Sequence, residues 1–220
     1  MNLWQGLTTC SHCGKNDPAG RVGSRGGWRG LCDHCLWALN QHRTHGEWPD
    51  VNHLFQYRAE VRDVIVKTKS RGGHPEFAGC VRVFLDEPRA HAAAAWCDGV
   101  AAAPASFWSR IRGRPHLATE LAIELAAQHR KPVIRIIPPV LWRLRKQSMR
   151  SSGQRNADQE TAFNVIVPAN LTKTRFTGSS IRVLLIDDVR TSGVTLGVLA
   201  GTLSAQLANA DIRSLVFAAK

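Results

Sequence analysis

The sequence lacks several features that would place it in large protein classes. No apolar run is long enough to cross a membrane, no segment is repeated along the chain, and Met1 to Leu7 is too short and polar for a secretory signal. The chain also contains no G-x-x-x-x-G-K-[ST] segment, the phosphate-binding loop of P-loop ATPases. These absences argue against a membrane-spanning protein, a repeat protein, a secreted disulfide scaffold and a P-loop ATPase.

Acidic residues are scarce relative to basic ones. The 220 residues include 29 Lys and Arg but 17 Asp and Glu, which gives a formal net charge of +12. Solubility needs far less charge, so the excess indicates polyanionic ligands, and a nucleic-acid surface is one interpretation. The alternative is a basic surface that is simply solvated. The basic residues concentrate in the ranges 21–29, 67–71, 110–114 and 143–155.

Four cysteines stand in two pairs whose spacing indicates a metal site. Cys10-x2-Cys13 and Cys32-x2-Cys35 are separated by eighteen residues, which is the spacing of a structural zinc ribbon. In such a ribbon each pair holds one side of a tetrahedral Zn²⁺, and metal binding supplies most of the folding free energy. We therefore predict a zinc-ribbon module over residues 1–45 and a second domain over residues 46–220, with a short linker at residues 44–50.

Other interpretations of the cysteines stay open at this point. The four could form two disulfides or remain free thiols, and His12 or His34 could replace a thiolate as a metal ligand. Cys80 and Cys97 have no partner pattern and are expected to be small buried hydrophobic side chains.

The second domain reads as helices alternating with strands. Such alternation implies an α/β fold with a mostly parallel, doubly wound sheet and a site at the carboxyl edge of that sheet. The polar segment Trp142 to Glu160 is too long for an ordinary connection, so it is either a lid over the site or a disordered loop. Helices are expected over 61–69, 77–85, 115–127 and 195–207, and strands over 99–104, 133–137, 163–167, 181–186 and 212–218.

The segment from Val183 to Thr195 carries the most chemical information. Four aliphatic residues from Val183 to Ile186 predict a strand buried on both faces, and Asp187 and Asp188 follow where that strand is expected to leave its sheet. The next residues, Arg190 to Thr195, offer backbone N–H groups, hydroxyls and a glycine in front of a helix. A phosphate suits this loop, and the acids suit ribose hydroxyls or a hydrated Mg²⁺. The alternative is an aliphatic strand followed by an acidic turn.

These thirteen residues resemble the diphosphoribosyl-binding signature of type I phosphoribosyltransferases. The order of motifs, two cysteine pairs followed by this signature, resembles the ComF family, in which a zinc ribbon precedes a phosphoribosyltransferase domain. The resemblance implies binding of 5-phosphoribosyl-1-diphosphate with Mg²⁺ and a role on the cytoplasmic side in DNA uptake during natural transformation. It also implies single-stranded DNA and a helicase or other DNA-uptake or recombination protein as partners.

The resemblance also implies roles for individual residues. Asp187 and Asp188 would hold the ribose hydroxyls and Mg²⁺ as the catalytic pair. The diphosphate would be neutralised by Lys67 or Lys69 and by Arg112. The 5-phosphate would lie in the signature loop, which consists of Val189, Arg190, Thr191, Ser192, Gly193, Val194 and Thr195.

Two further functions stay open beside this one. The chain could be a nucleic-acid-binding adaptor that keeps the fold as a ligand sensor, or a small-molecule phosphoribosyltransferase of nucleotide salvage. On the diphosphate side, Arg114-Pro115-His116 stands where the family usually continues Arg-Gly with Phe-Asn-Gln.

Overall fold

A computed structural model shows how the chain folds. It describes residues 10, 13, 31–70, 75–105, 109, 111, 114–138, 163–169, 171, 180–207 and 209–220. The proposed lid at 142–160, Arg112, His12 and the glycine-rich stretch between the cysteine pairs lie outside these residues.

The described chain contains both helices and strands. The helices are α1 (Asp33–Asn40), α2 (Ala59–Ser70), α3 (Pro75–Leu85), α4 (Pro88–Trp96), α5 (Leu117–Gln128) and α6 (Val194–Gln206). The strands are β1 (His53–Gln56), β2 (Gly99–Ala102), β3 (Val133–Ile137), β4 (Asn164–Ile166), β5 (Arg182–Arg190) and β6 (Asp211–Ala219). Along the described chain α2, α3 and α4 come in succession, and so do β3, β4 and β5.

The strands form one mostly parallel sheet in the order β1-β6-β5-β2-β3-β4. Every neighbouring pair is parallel except β3 and β4, which are antiparallel. The predicted α/β class with a mostly parallel sheet is therefore confirmed. The strand predicted at 163–167 is a short antiparallel edge strand.

Apolar side chains cover the sheet on both faces, as expected for a doubly wound sheet. Leu184 and Ile186 of β5 pack in the buried cluster that includes residues of α1 to α5. Val183 and Leu185 pack in a second cluster, with Leu196, Leu199 and Leu203 of α6. Successive strand residues point to opposite faces, so the aliphatic run of β5 fills both clusters.

Three elements were missed from the sequence: helix α1, strand β1 and helix α4. Strand β1 has four residues, and it is held by parallel pairing with β6, for example His53 with Val216. No local sequence pattern predicts such pairing, because the partner strand β6 comes late in the chain. Helix α4 did have a signal, since Pro88 occupies its first turn and a run of alanines follows.

The strand of the signature is longer than predicted, and this corrects the placement of the acids. Its pairing with β2 stops at Ile186, opposite Ala102, but its pairing with β6 continues through Asp187 to Arg190. The acids therefore lie within β5 rather than beyond its end. At the acids β5 lacks a neighbouring strand only on the β2 side, because β2 is shorter than β6.

A buried ion-pair group ties the segment before β1 to helix α4. Glu87 is 4% exposed and contacts two guanidinium groups, those of Arg43 and Arg89. Arg89 also donates to Thr44 Oγ1 at 2.9 Å and to the carbonyl oxygen of His53 at 2.8 Å. The segment at 44–50, predicted as a linker, is thus fastened at Thr44 to the domain that follows.

Replacing Glu87 by Ala should destabilise the fold by about 3 kcal/mol, because Arg89 would stay buried without its carboxylate partner. Urea unfolding would measure this loss. The matched control is Asp86→Ala at the adjacent position, where the carboxylate is 44% exposed and pairs with Arg82. The control should change the free energy of unfolding by no more than about 0.5 kcal/mol. Equal losses in both variants would show that the buried group stabilises nothing beyond an ordinary surface pair.

Candidate functional site

Strand β5 carries two adjacent carboxylates into a cavity at the carboxyl edge of the sheet. Asp187 is 9% exposed and Asp188 is 5% exposed. Alternation along the strand places Asp188 on the face of Ile186 and Asp187 on the face of Leu185, toward α6. The two acids are thus presented to different sides of the same opening.

Lys69 partly neutralises this pair of acids. It lies in the last turn of α2, and its Nζ is 2.7 Å from Asp188 Oδ2. That oxygen accepts no hydrogen bond of acceptable geometry among the described residues. The backbone N–H of Asp188 donates to Asp187 Oδ1 at 2.8 Å. With both acids ionised, the pair and Lys69 together carry a net negative charge in a largely buried place, which favours a cation or hydroxyl groups as ligands.

The environment raises the pKa of Asp187 to about 7. The main cause is burial of the carboxyl group, and the second is the neighbouring charge of Asp188. Near neutral pH Asp187 therefore exchanges its proton readily. A bound cation would favour its ionised form.

The loop after β5 turns sharply into α6. Gly193 has a φ of +74°, a left-handed conformation in which a side chain would be strained, and it occupies the N-cap position of α6. The first N–H groups of α6 have no partner within their helix, so they are available to an anion. This arrangement explains why a glycine follows the hydroxyl residues in the signature.

The acid cavity has a volume of about 400 Å³. The predicted site residues that line it are Lys69, Asp187, Asp188, Val189, Thr191 and Thr195. The predicted residues Lys67, Arg190, Ser192, Gly193 and Val194 are not among the described residues that line it, and Arg112 lies outside the described residues. The fold thus brings Lys69, from a helix early in the chain, to the same cavity as residues of the signature.

Six further residues line the cavity, and the three with polar side chains, Tyr57, Ser109 and His116, were not predicted as site residues. Tyr57 follows β1 and its N–H donates to the carbonyl oxygen of Ala219 at 2.7 Å, so it reaches the site through an edge strand that the sequence did not reveal. The sequence did contain a signal for His116, because this histidine directly follows Pro115 at the start of a predicted helix.

His116 lines the same cavity as the acids. It is the N-cap residue of α5, and its Nδ1 lies 3.0 Å from Thr119 Oγ1. Burial lowers the pKa of His116, with Lys69 acting in the same direction and Asp188 opposing both. The imidazole is therefore neutral at physiological pH, with Nε2 as the nitrogen not engaged by Thr119.

Two carboxylates are a suitable donor set for a hard divalent cation such as Mg²⁺, which binds few protein oxygens and keeps several waters. The buried Asp188 Oδ2, without a hydrogen bond among the described residues, fits that chemistry. A cation bound at this oxygen would displace the ammonium group of Lys69 from it.

The four cysteines of the two pairs form a second candidate site. Their sulfur atoms all lie within 4.8 Å of one another. Cys10 Sγ is 3.7 Å from Cys35 Sγ, and Cys13 Sγ is 3.7 Å from Cys32 Sγ. A tetrahedral metal with bonds of about 2.3 Å places its sulfurs roughly 3.8 Å apart. The cluster therefore has the dimensions of a four-thiolate metal site.

The disulfide alternative for these cysteines does not match the structure, because none of the four is in a disulfide. His34 is exposed and stacks on Trp37 with ring centroids 6.3 Å apart, away from the cluster. Burial raises the pKa of Cys32 and Cys35, so a metal cation would be needed to hold them as thiolates. Cys80 and Cys97 are fully buried, as predicted.

Comparisons with known proteins include a likeness to a solved structure. Orotate phosphoribosyltransferase from Aeropyrum pernix resembles this chain with 17% sequence identity and a TM-score of 0.40, over 66% of this chain and 59% of that structure. The chain thus spans about three fifths of the length of the structure it matches. No protein-family model matches the chain, and no curated protein does so. Within the described residues, no helix is both long and apolar enough to cross a membrane.

Asp187 should make stability depend on pH. Its carboxyl group holds a proton up to about pH 7 in the folded protein but only up to its ordinary value of 3.8 when unfolded. The folded state therefore binds the extra proton in this window, and the free energy of unfolding falls as the pH rises through it. In Asp187→Asn this fall should shrink by an amount on the order of 2 kcal/mol.

Urea unfolding between about pH 5.5 and pH 8, in buffer without divalent cations, measures this difference. Asp86→Asn is the control and should keep the pH dependence of the unsubstituted protein. An unchanged pH dependence in Asp187→Asn would contradict the raised pKa.

Proposed function

We propose that the protein is a phosphoribosyltransferase-type protein that binds 5-phosphoribosyl-1-diphosphate with Mg²⁺ in the acid cavity. The observation that supports this most is the convergence of Asp187, Asp188 and Lys69 on one cavity that Thr191 and Thr195 of the signature loop also line. Carboxylates accept hydrogen bonds from ribose hydroxyls, and a helix start with a glycine and hydroxyl groups suits a phosphate.

The charges support the same ligand. Lys69 is the cation in the cavity among the described residues that line it, and 48% of its side chain is exposed. On binding, Lys69 could turn from Asp188 to the diphosphate while Asp187 and Asp188 hold the metal. A bound Mg²⁺ would supply positive charge to the departing diphosphate. Lys69 thus compensates the acids before binding and the ligand afterwards.

In the proposed reaction a nucleophilic acceptor forms a bond to C1 of the ribose as the bond from C1 to the diphosphate oxygen breaks. The diphosphate leaves with the electron pair, and the acceptor loses a proton to solvent or to a neighbouring base. The protein contributes mainly position and charge. Roles in DNA uptake, with single-stranded DNA and a helicase or recombination protein as cytoplasmic partners, stay predictions of the ComF resemblance.

Titration calorimetry with Mg²⁺ and phosphoribosyl diphosphate tests the proposal. Binding is expected for the unsubstituted protein, and the double variant Asp187→Asn with Asp188→Asn should weaken it by about 100-fold or more, since the metal and ribose contacts are lost together. The control Asp86→Asn should bind like the unsubstituted protein. Absence of binding by folded protein, or equal affinity in the double variant, would overturn the proposal.

We further propose that the four-cysteine cluster holds a structural zinc ion. The arrangement in support is the spacing of the four sulfurs together with the burial of Cys10, Cys32 and Cys35. Cys10, Cys32 and Cys35 belong to the same buried cluster as Leu39 and Phe84, so the metal site would lie against the core of the following domain. Zinc would then stabilise that contact as well as the cysteine pairs themselves.

The metal content of purified protein should be about one zinc per chain. Cys32→Ser should bind less zinc and lose cooperative folding of its amino-terminal part, because three thiolates cannot close the site. Cys97→Ala removes a buried cysteine outside the cluster and should keep the full zinc content. Unchanged folding of the unsubstituted protein in a strong chelator would contradict a structural metal.

A further inference from the structure

A second cavity, of about 490 Å³, adjoins the acid cavity, and we name it the β3 cavity. The two share Pro104, Pro115 and His116 as walls. Because His116 lies between them, an atom at the mouth of the β3 cavity is close to the acids. The two cavities thus form neighbouring compartments at one edge of the sheet.

The β3 cavity exists because α5 covers only part of its sheet face. All five residues of β3 line the cavity. Ile134 and Ile136 also pack in the buried cluster beneath α6, so the side chains of the alternate residues Val133, Arg135 and Ile137 face the other way. Ile166 of β4 pairs with Arg135 and therefore stands on the same face. Beyond α5, this part of the sheet is left open within the described residues.

The walls of the cavity are apolar and poorly covered. Ile123 of α5 is 42% exposed and Ile166 is 51% exposed, and both line the cavity. Together with Val133 and Ile137 they form two apolar surfaces, one on the helix and one on the sheet. A flat ring between them would remove this apolar area from water.

Charged groups at the same cavity favour an anion. Arg114 and Arg135 line it, against a single carboxylate, that of Glu120, among the described lining residues. A guanidinium group binds a carboxylate through two parallel hydrogen bonds, a geometry that a neutral ring cannot use. The cavity thus offers flat apolar walls with an excess of positive charge.

We propose that the β3 cavity is the acceptor subsite and binds a planar aromatic acid. This inference rests on the proposed function, since it places the acceptor beside the ribose of the phosphoribosyl diphosphate. A ring N–H nitrogen or an amine of the acid forms the new bond to C1, the bond from C1 to the diphosphate breaks, and the proton of that nitrogen passes to Nε2 of His116. The diphosphate departs with its electron pair toward Lys69.

Binding of matched small probes tests the subsite without requiring turnover. Nicotinate, anthranilate and benzoate are the aromatic acids, and nicotinamide and benzamide are neutral partners of the same shape. Titration calorimetry without phosphoribosyl diphosphate should show binding of the acids, with the amides at least tenfold weaker. Ile123→Glu, which puts a carboxylate into the apolar wall, should weaken binding of the acids by tenfold or more.

The matched control is Val66→Glu, because Val66 is 47% exposed on α2 and is not among the described lining residues of either cavity. It should leave the affinity for the acids unchanged. Arg135→Gln should reduce the preference for nicotinate over nicotinamide, a change that a merely structural role of Arg135 would not produce. Neither Ile123→Glu nor Arg135→Gln should alter the affinity for phosphoribosyl diphosphate by more than about twofold.

Absence of binding by every acid, or equal binding of acids to Ile123→Glu and the unsubstituted protein, would overturn the subsite. So would a change from dimer to monomer in Ile123→Glu with unchanged probe affinity, because the face would then be a contact between copies of the chain. Binding of the acids in this pattern without any binding of phosphoribosyl diphosphate would instead overturn the proposed function. Binding of phosphoribosyl diphosphate without binding of any acid would overturn the subsite and leave the proposed function standing.

Discussion

The unequal pairing of β5 with its two neighbours is the constraint on which the rest of the site depends. On one side β2 ends opposite Ile186, while on the other side β6 continues to Arg190. The strand therefore stays paired with β6 at Asp187 and Val189, on either side of Asp188, and an opening remains where β2 has ended. The helices α2 and α5 bring Lys69 and His116 to that opening.

The buried charges explain why this edge is suited to a ligand. Two adjacent carboxylates at 9% and 5% exposure cost free energy in the folded protein, and Lys69 compensates only part of it. The part of this cost that Lys69 does not compensate appears as the raised pKa of Asp187, because a proton there replaces the missing positive charge. A cation with ribose hydroxyls would satisfy both acids more completely than a proton does. Binding of such a ligand is therefore expected to stabilise the site.

The amino-terminal cysteines are part of the same apolar core rather than an isolated unit. Leu31, between the cysteine pairs, approaches Gly79 of α3 so closely that a Cβ there would lie 2.9 Å from Leu31 Cγ. Cys10, Cys32 and Cys35 share a buried cluster with Val61 and Phe84. A metal held by the cysteines would therefore influence the stability of the helices that carry Lys69, through contacts that no spacing of cysteines reveals. The boundary at residue 45 stays a prediction.

The sequence by itself determined the elements and groups that depend on local pattern. The aliphatic run of β5, the glycine that precedes α6 and the spacing of the cysteine pairs each follow from neighbouring residues, and they predicted the α/β class, the acids and the metal cluster. Only the tertiary structure decided that β5 continues past the acids, that Lys69 rather than Lys67 reaches Asp188, and that Tyr57 and His116 complete the wall. These outcomes depend on how long a neighbouring strand is and on where separate helices end. Such relations join residues far apart in the chain, and hydrophobic periodicity carries no information about them.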